Sequence, residues 1–315
     1  RVVVAGAGPF LLPVAVGLAR AGATVTVVEA GGPGAYARAP GVLAGAAAKL
    51  GEAAGYAAAM ARHRIAYHTR HAVVAAHGGP AVSHVDIAAL DRHGGLGRTR
   101  RLACDALAVG YGFTANLELA LTLGCATRLG ADGGLVLEVD RDAATSVAGV
   151  WAAGEVTGVG GAALAVTEGI LAGAAVTAAC GLTPAQSPRE LARLRRRQDR
   201  LRAFADLMHA AHPVPAGWPS WLRDDTLVCR CEEVPYAAVR HAIAELGAED
   251  ARTVKLLARP GMGWCQGRVC GYATAALAAA GAGRPCTAAD LVGLAQRPFA
   301  VPVRLGDLAA GPPPP

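Results

Sequence analysis

At 315 residues, with 53% hydrophobic and 17% charged letters, the chain falls outside the disordered class and has the length for about two domains. Its formal charge of +6 is local: seven arginines fall between Arg189 and Arg202, on one predicted helix whose Leu191, Leu194 and Leu201 form an apolar stripe. That concentration, with only 4% aromatic residues, argues against a groove-tracking nucleic-acid surface and against base-stacking platforms. The arginine run reads as a solvated helix face, with docking against an acidic partner as the alternative.

The mean hydropathy of +0.34 raises the membrane question, but no run of about 18 uninterrupted apolar residues, the length of a bilayer span, is present. The nearest candidate, Gly161 to Leu182, carries Glu168 near its middle and reads as a buried helix of a soluble domain. The chain opens on Arg1, already inside a predicted strand, so no signal peptide is expected and a missing upstream segment is. A cytoplasmic location is expected, with peripheral attachment at the inner membrane through partners as its variant.

In chain order, Arg1 to Glu29 predicts strand, glycine turn, helix and strand, half of a βαβ unit. A Gly/Pro/Ala loop over 31–40 precedes a helix reaching about Arg62 and a strand near Ile65. Segments 81–91 and 98–103, joined by Arg92 to Gly97, predict a β-hairpin. Asp105 to Phe113 reads as a buried strand ending in glycines, and Gly149 to Ala153 as another strand running into Gly154-Glu155. The turn 158–161 then opens the Ala-rich helix, and this recurrence implies a parallel sheet with a ligand at its carboxyl end. Ser187-Pro188-Arg189-Glu190 is a capping box with Pro at the first helical position, so the α/β part ends before it, near Leu182.

A proline-punctuated linker over 212–221 leads into a different composition. Helices are predicted at 235–246, closed by Gly247, at 250–258, closed by Pro260-Gly261, and from near Cys270 onward. The tail from Gln296 reads as extended or frayed.

Cys229 and Cys231, then Cys265 and Cys270, form two close pairs separated by two predicted helices, which can bring four sulfurs around one place. Thiolates are soft anionic ligands suited to zinc or to an iron–sulfur cluster, and a 2Fe-2S centre takes two per iron. Arg230, Lys255, Arg259 and Arg268 would offset the negative charge of such a cluster. Structural zinc is the main rival, though C-x-C and C-x4-C differ from its usual C-x2-C spacing. A disulfide set lacks a secretory context. Cys104, Cys125, Cys180 and Cys286 are scattered and read as buried apolar thiols.

Gly6, Gly8 and Pro9 form a glycine turn with the first two glycines of a dinucleotide fingerprint, and Leu11 stands where the third would be. The first glycine permits the tight turn, and the second lets a pyrophosphate approach the helix N-terminus. Glu29, at the end of the second strand, is placed to hydrogen-bond an adenosine ribose, so NAD or another adenine nucleotide is the expected ligand. A packed βαβ half with an unused site is the alternative. His63, His68, His71, His77, His84 and His93 lack ligand spacing and read as surface or loop residues. No catalytic acid, base or nucleophile is singled out.

The segments RVVVAGAGPFLLPVAVGLARAGATVTVVEA, DALAVGYGFTANLELALTLGC and TSVAGVWAAGEVTGVGGAALAVTEGILAG, with VCRCEEV, VKLLARPGMGWCQGRVCG and RPFAVPVRLGDLA, resemble two-dinucleotide-binding-domain flavoproteins. Within that group they are similar to the larger subunits of the opine oxidase, hydrogen cyanide synthase and dye-linked proline dehydrogenase (alpha) group. The resemblance implies an α/β, Rossmann-like flavoprotein fold, N-terminally truncated, followed by a small, mostly α, BFD-like iron–sulfur domain. It places a nested nucleotide-binding domain at 1–100 and the C-terminal half of the FAD-binding domain at 101–182. A helical linker at 183–223, the cluster domain at 224–294 and an extended tail at 295–315 complete the expected layout. Thr145 to Glu155 corresponds to the family's flavin-contacting segment, with Gly154 and Glu155 near the flavin, and Glu155 stands where the family carries Asp. The family's N-terminal flavin βαβ unit has no counterpart before Arg1, so weak retention of FAD is expected.

The resemblance further implies an electron-transfer subunit of a heteromeric FAD and 2Fe-2S amine or amino-acid dehydrogenase or oxidase. Its partners would be a small ferredoxin-like subunit together with a substrate-oxidising flavoprotein of the beta type. Two other functions stay open: an NAD(P)H-dependent reductase that feeds its own cluster, and a non-catalytic metal-binding module.

Overall fold

The computed structural model describes residues 1–32, 36, 39–45, 47–297 and 303–311; the rest of the loop predicted over 31–40, the stretch 298–302 and the final prolines lie outside the described residues. The first elements are β1 (Val2–Gly6), α1 (Leu11–Arg20), β2 (Val25–Glu29), α2 (Pro40–Ala44), α3 (Ala47–Arg62) and β3 (Ala66–Thr69). Next come β4 (His71–Gly78), β5 (Val82–Leu90), β6 (Leu96–Ala103), β7 (Ala106–Gly110), α4 (Glu118–Thr122), β8 (Thr127–Leu129) and β9 (Leu135–Leu137). They are followed by α5 (Ala162–Ala179), α6 (Pro188–Ala211), β10 (Leu227–Cys229), β11 (Val234–Pro235), α7 (Tyr236–Ala244), α8 (Ala251–Ala258), α9 (Gly271–Gly281), α10 (Ala288–Ala295) and α11 (Leu305–Ala310). The chain divides into one unit of residues 1–113, 160–167 and 186–222 and a second of residues 114–159, 168–185 and 223–315.

In the first unit a parallel sheet has the order β3-β2-β1-β7, with β1 in register from Val2↔Val25 to Gly6↔Glu29 on one side and from Val2↔Ala106 to Gly6↔Gly110 on the other. Alternation along β1 sets the layers. Val4 packs with Leu11, Ala15 and Val16 of α1, whereas Val3 and Ala5 pack with Val85 and Ile87 of the antiparallel sheet β4-β5-β6. Each such buried Val or Ile contributes about 1.5–3 kcal/mol. The predicted hairpin is β5-β6, extended by β4.

At Gly6 (φ +152°) the backbone of β7 leaves no room for a side chain: a Cβ there would lie 1.7 Å from the Gly110 carbonyl oxygen. Gly6→Ala is therefore expected to unfold the unit or to part the two strands, at about 4 kcal/mol or more. Gly8→Ala, with open space around it, costs only its backbone strain, about 1–3 kcal/mol. Thermal melts of the two variants check the contrast.

Three sequence expectations change here. Ala106–Gly110, expected with residues 101–182, completes the first unit's sheet as an edge strand, and its Val109 is 61% exposed instead of buried. The helix of the expected linker, α6, belongs to the first unit and buries Ala205, Leu207 and Ala211; its predicted capping box is present, with Ser187 and Glu190 bonding reciprocally. Segment 149–153 forms no strand: Gly149 turns at φ +81° and only Trp151 makes an isolated bridge, with Ala144. The six histidines between His63 and His93 are exposed or half-buried, as expected.

The second unit packs Leu117 at the start of α4, Leu121 of α4, Leu135 and Leu137 of β9, Ala251 of α8, Ala275 of α9 and Leu291 of α10 into one core. Asp250 caps α8 by accepting from the Arg252 and Thr253 amides, and Arg259 ends it in the left-handed region (φ +69°) just before Pro260. α10, capped by Thr287 and Asp290, was not anticipated, and the expected extended tail carries α11. α5 is long and apolar enough to cross a membrane by length and composition, and only 33% of it is buried, so the expected buried helix is half-exposed, with Val166 outward.

Candidate functional site

The cysteines come from two loops of the second unit. β10 and β11 pair antiparallel and place Cys229 at the end of β10 and Cys231 in the turn, where Glu233 adopts φ +52°. The loop between α8 and α9 carries Cys265 and Cys270, and it turns through Gln266 (φ +55°) and Gly267 (φ +77°). Cys229, Cys265 and Cys270 are buried, and Cys231 is half-buried. Cys231 lies beside Cys265 and Cys229 beside Cys270, so the thiols stand as two pairs within electrostatic reach of each other.

Backbone amides aim at two of these sulfurs, Cys229 and Cys265. The Gly261 N–H donates to Cys229 Sγ at 3.5 Å. Burial alone raises the Cys265 thiol, but the Val269, Gly267 and Arg268 amides and the Cys231 thiol aimed at its sulfur hold it below the usual thiol range. Its partner Cys231 is raised by the same hydrogen bond and by burial. Cys270 is pushed up to about 12 by burial and by Cys229.

The surrounding glycines leave no room for side chains: a Cβ at Gly263 would lie 2.3 Å from Cys231 Cβ, and one at Gly261 would meet Gly267 Cα at 3.3 Å. Among the described residues no three His, Cys, Asp or Glu side chains are gathered to hold one metal ion. Two thiol pairs with amide donors fit a two-iron centre, which takes two thiolates per iron, better than a single tetrahedral ion.

Of the basic residues expected to offset cluster charge, Arg259 pairs with Glu232 at 3.0 Å and Arg268 with Glu118 at 2.9 Å, so both are partly neutralised. Glu118 and Arg297, which also meet, were missed by sequence reasoning, as they are far apart in the chain. Cys104 and Cys125 are buried as expected; Cys180 is exposed and Cys286 half-buried, because they sit at a helix end and in a loop.

The glycine turn lies in the first unit. Gly8 is half-buried, Pro9 is exposed, and Leu11, in the place of the third glycine, is buried in the core. Glu29 is 1% exposed and its carboxylate is already occupied. Oε1 accepts from the Gly8 N–H at 3.0 Å and lies 2.9 Å from His212 Nδ1; Oε2 accepts from the Tyr67 hydroxyl at 2.7 Å. Tyr36 Oη stands 2.5 Å from His212 Nε2 and extends the chain of bonds. Burial would raise the Glu29 carboxyl, but His212, Tyr67 and the Gly8 amide outweigh it and hold it below the ordinary range. Tyr67 is raised by burial and by Glu29, and Tyr36 is pushed up to about 12 by burial and by Glu29. A ribose at Glu29 would displace one of these donors. The turn leads into α1 as a dinucleotide fingerprint would, but the Gly8 amide is taken by Glu29, and the occupied acid does not fit a ribose without rearrangement.

In the Thr145–Glu155 segment, Thr145 Oγ1 donates to the Val150 carbonyl at 3.0 Å. Glu155 is exposed at the start of a single 3-10 turn. The buried acid of this region is Glu168, which accepts from the Gly154 amide and the Thr157 hydroxyl, both at 2.9 Å. Glu168, seen in the sequence only as a charge breaking an apolar helix, shapes the turn that holds Gly154 and Glu155.

Residues 1–169 match the family described as pyridine nucleotide-disulphide oxidoreductase, and residues 227–280 match the BFD-like 2Fe-2S binding domain, which spans all four clustered cysteines. An opine oxidase subunit of Rhizobium meliloti is 35% identical over 66% of this chain and 44% of its own length. Hydrogen cyanide synthase subunit HcnB of Pseudomonas protegens is 30% identical over 86% of this chain and 59% of its own. The chain thus spans about half the length of these relatives. The crystal structure of L-proline dehydrogenase from P. horikoshii is 19% identical, with a TM-score of 0.58 over 79% of this chain and 46% of that one, a likeness of fold.

Proposed function

The chain belongs to the pyridine nucleotide-disulphide oxidoreductase family and carries a BFD-like 2Fe-2S binding domain, and from this we propose that it is the electron-transferring subunit of a heteromeric FAD and 2Fe-2S dehydrogenase or oxidase acting on the C–N bond of an amine or amino acid. The convergence of Cys229, Cys231, Cys265 and Cys270 into two amide-supported pairs carries the reading. The names of the similar proteins, subunits of an opine oxidase and of a hydrogen cyanide synthase, support an oxidoreductase that works beside a partner subunit.

In this reading the four cysteines are the cluster ligands, and Gly154, Glu155 and the Glu168-held turn belong to the flavin side. Gly6, Gly8 and Pro9 are the glycine turn of the nested nucleotide domain, and Glu29 would take a ribose only on releasing one of its present donors. When bound, the cluster supplies one-electron carriage beside the two-electron chemistry of a flavin. The amides aimed at Cys265 and Cys229 would stabilise negative charge on ligating sulfurs, and the glycines at 261, 263 and 267 let backbone close around them.

The Gly6-Gly8 turn favours a second reading, reduction by NAD(P)H. Anaerobic purification of the full chain, reconstitution with iron and sulfide, and stopped-flow mixing separate the two. Reduction of the cofactors by an amino-acid donor only in the presence of a partner subunit is the expected result. Rapid reduction by NADH alone would transfer the case to the reductase, and bound zinc with no iron would leave a metal-binding module.

A further inference from the structure

Glu118 opens α4, inside the segment matched to the oxidoreductase family, yet its side chain is only 4% exposed and lies among residues of the cysteine-bearing part of the second unit. Two guanidiniums converge on the same oxygen: Arg268 Nε at 2.9 Å and Arg297 Nη1 at 2.5 Å from Oε1. Among the described residues Oε2 has no hydrogen-bond partner. Each arginine also grips the backbone of the cysteine loop. Arg268 Nη1 donates to the Cys265 carbonyl at 3.2 Å, and Arg297 Nε donates to the Gln266 carbonyl at 2.8 Å. Arg297 further donates to the Ala295 carbonyl at the end of α10.

The arrangement is a clamp. One buried carboxylate holds two arginines, and those arginines fix the two residues that begin the turn from Cys265 to Cys270. We propose that Glu118 is a positioning residue for the Cys265–Cys270 loop and that the Glu118–Arg268–Arg297 cluster sets the charge felt by an iron–sulfur centre bound there. The inference rests on the reading of the four cysteines as ligands of that centre. Two cations against one anion leave a single net positive charge beside the loop. Arg297 is close enough to interact electrostatically with both Cys265 and Cys270. A reduced cluster carries one more negative charge than an oxidised one, so positive charge nearby favours reduction.

The sign of this effect separates positioning charge from general loosening. The full chain, its Glu118→Gln, Glu118→Asp and Arg297→Gln variants are reconstituted anaerobically. Iron content, the electron paramagnetic resonance spectrum and the midpoint potential are read. Glu118→Gln is expected to move the midpoint positive, by about tenfold in the reduction equilibrium or ~59 mV for one electron. Arg297→Gln is expected to move it negative, and Glu118→Asp to stay near the parent. Shifts of the same sign in both neutralising variants, or no shift in either, overturn the inference while leaving the cluster reading intact. Should Glu118→Gln fail to fold, the Arg297→Gln potential decides alone: a negative shift supports the clamp and an unchanged value overturns it. A parent chain that takes up no iron fails the cluster reading, and the inference falls with it.

Discussion

Cys265→Ser is expected to abolish the iron–sulfur centre: a reconstituted parent chain holding about two irons gives way to a variant with background iron, no visible absorption and no resonance signal. The reason lies in the local geometry. Three backbone amides and a neighbouring thiol aim at this one sulfur and favour its anionic form by more than burial disfavours it. A hydroxyl at the same place is a harder, far less acidic ligand and leaves those amides poorly matched. Cys180→Ser supplies the contrast, since Cys180 is exposed and lies outside the two cysteine loops; its iron content should equal the parent's. Full iron retention in Cys265→Ser, or equal loss in Cys180→Ser, would show that these four sulfurs are not the ligand set.

Glu29→Ala should be the most destabilising change in the first unit outside the glycine turn, at about 3–5 kcal/mol. It strips the acceptor from the Gly8 amide, the Tyr67 hydroxyl and His212 inside a site that excludes water. Glu29→Gln keeps the shape, removes the charge and should cost less. The pH dependence has a definite sign. The folded-state carboxyl is held below its reference value of 4.5, so its contribution is present above that value and is lost as pH falls through the lower folded value. Urea denaturation from neutral pH down to about pH 3 is therefore expected to show a steep acid limb in the parent that is shallower in Glu29→Gln. An alanine variant as stable as the parent, or identical acid limbs, would mean that the observed bonds contribute nothing to folding.

The occupied state of Glu29 also shows where local pattern stops being informative. A glycine turn between strand and helix with a trailing acid was legible because each part lies within about 30 residues and obeys strand and helix periods. That Tyr67 and His212 fill the acid was not legible, since the donors arrive 38 and 183 residues later. The same holds for Glu118 and Arg297, 179 residues apart, which carry no motif. Segment 149–153 had the letters of a strand, but a strand exists only with a paired neighbour, and periodicity reports side-chain faces, not partners.

By itself the amino-acid sequence determined the elements whose causes are local. These are the β1-turn-α1-β2 unit, the capping box at Ser187, the stop of α8 at Arg259 and Pro260, and the paired cysteine spacings that announce a thiolate site. Tertiary structure alone decided which distant groups share a place: β7 beside β1, α6 within the first unit, His212 on Glu29 and two arginines on Glu118. The physical reason is range. Backbone dihedrals, caps and turns are set by neighbours a few residues away, whereas buried charge must find whatever partner the packed chain delivers, at any separation along it.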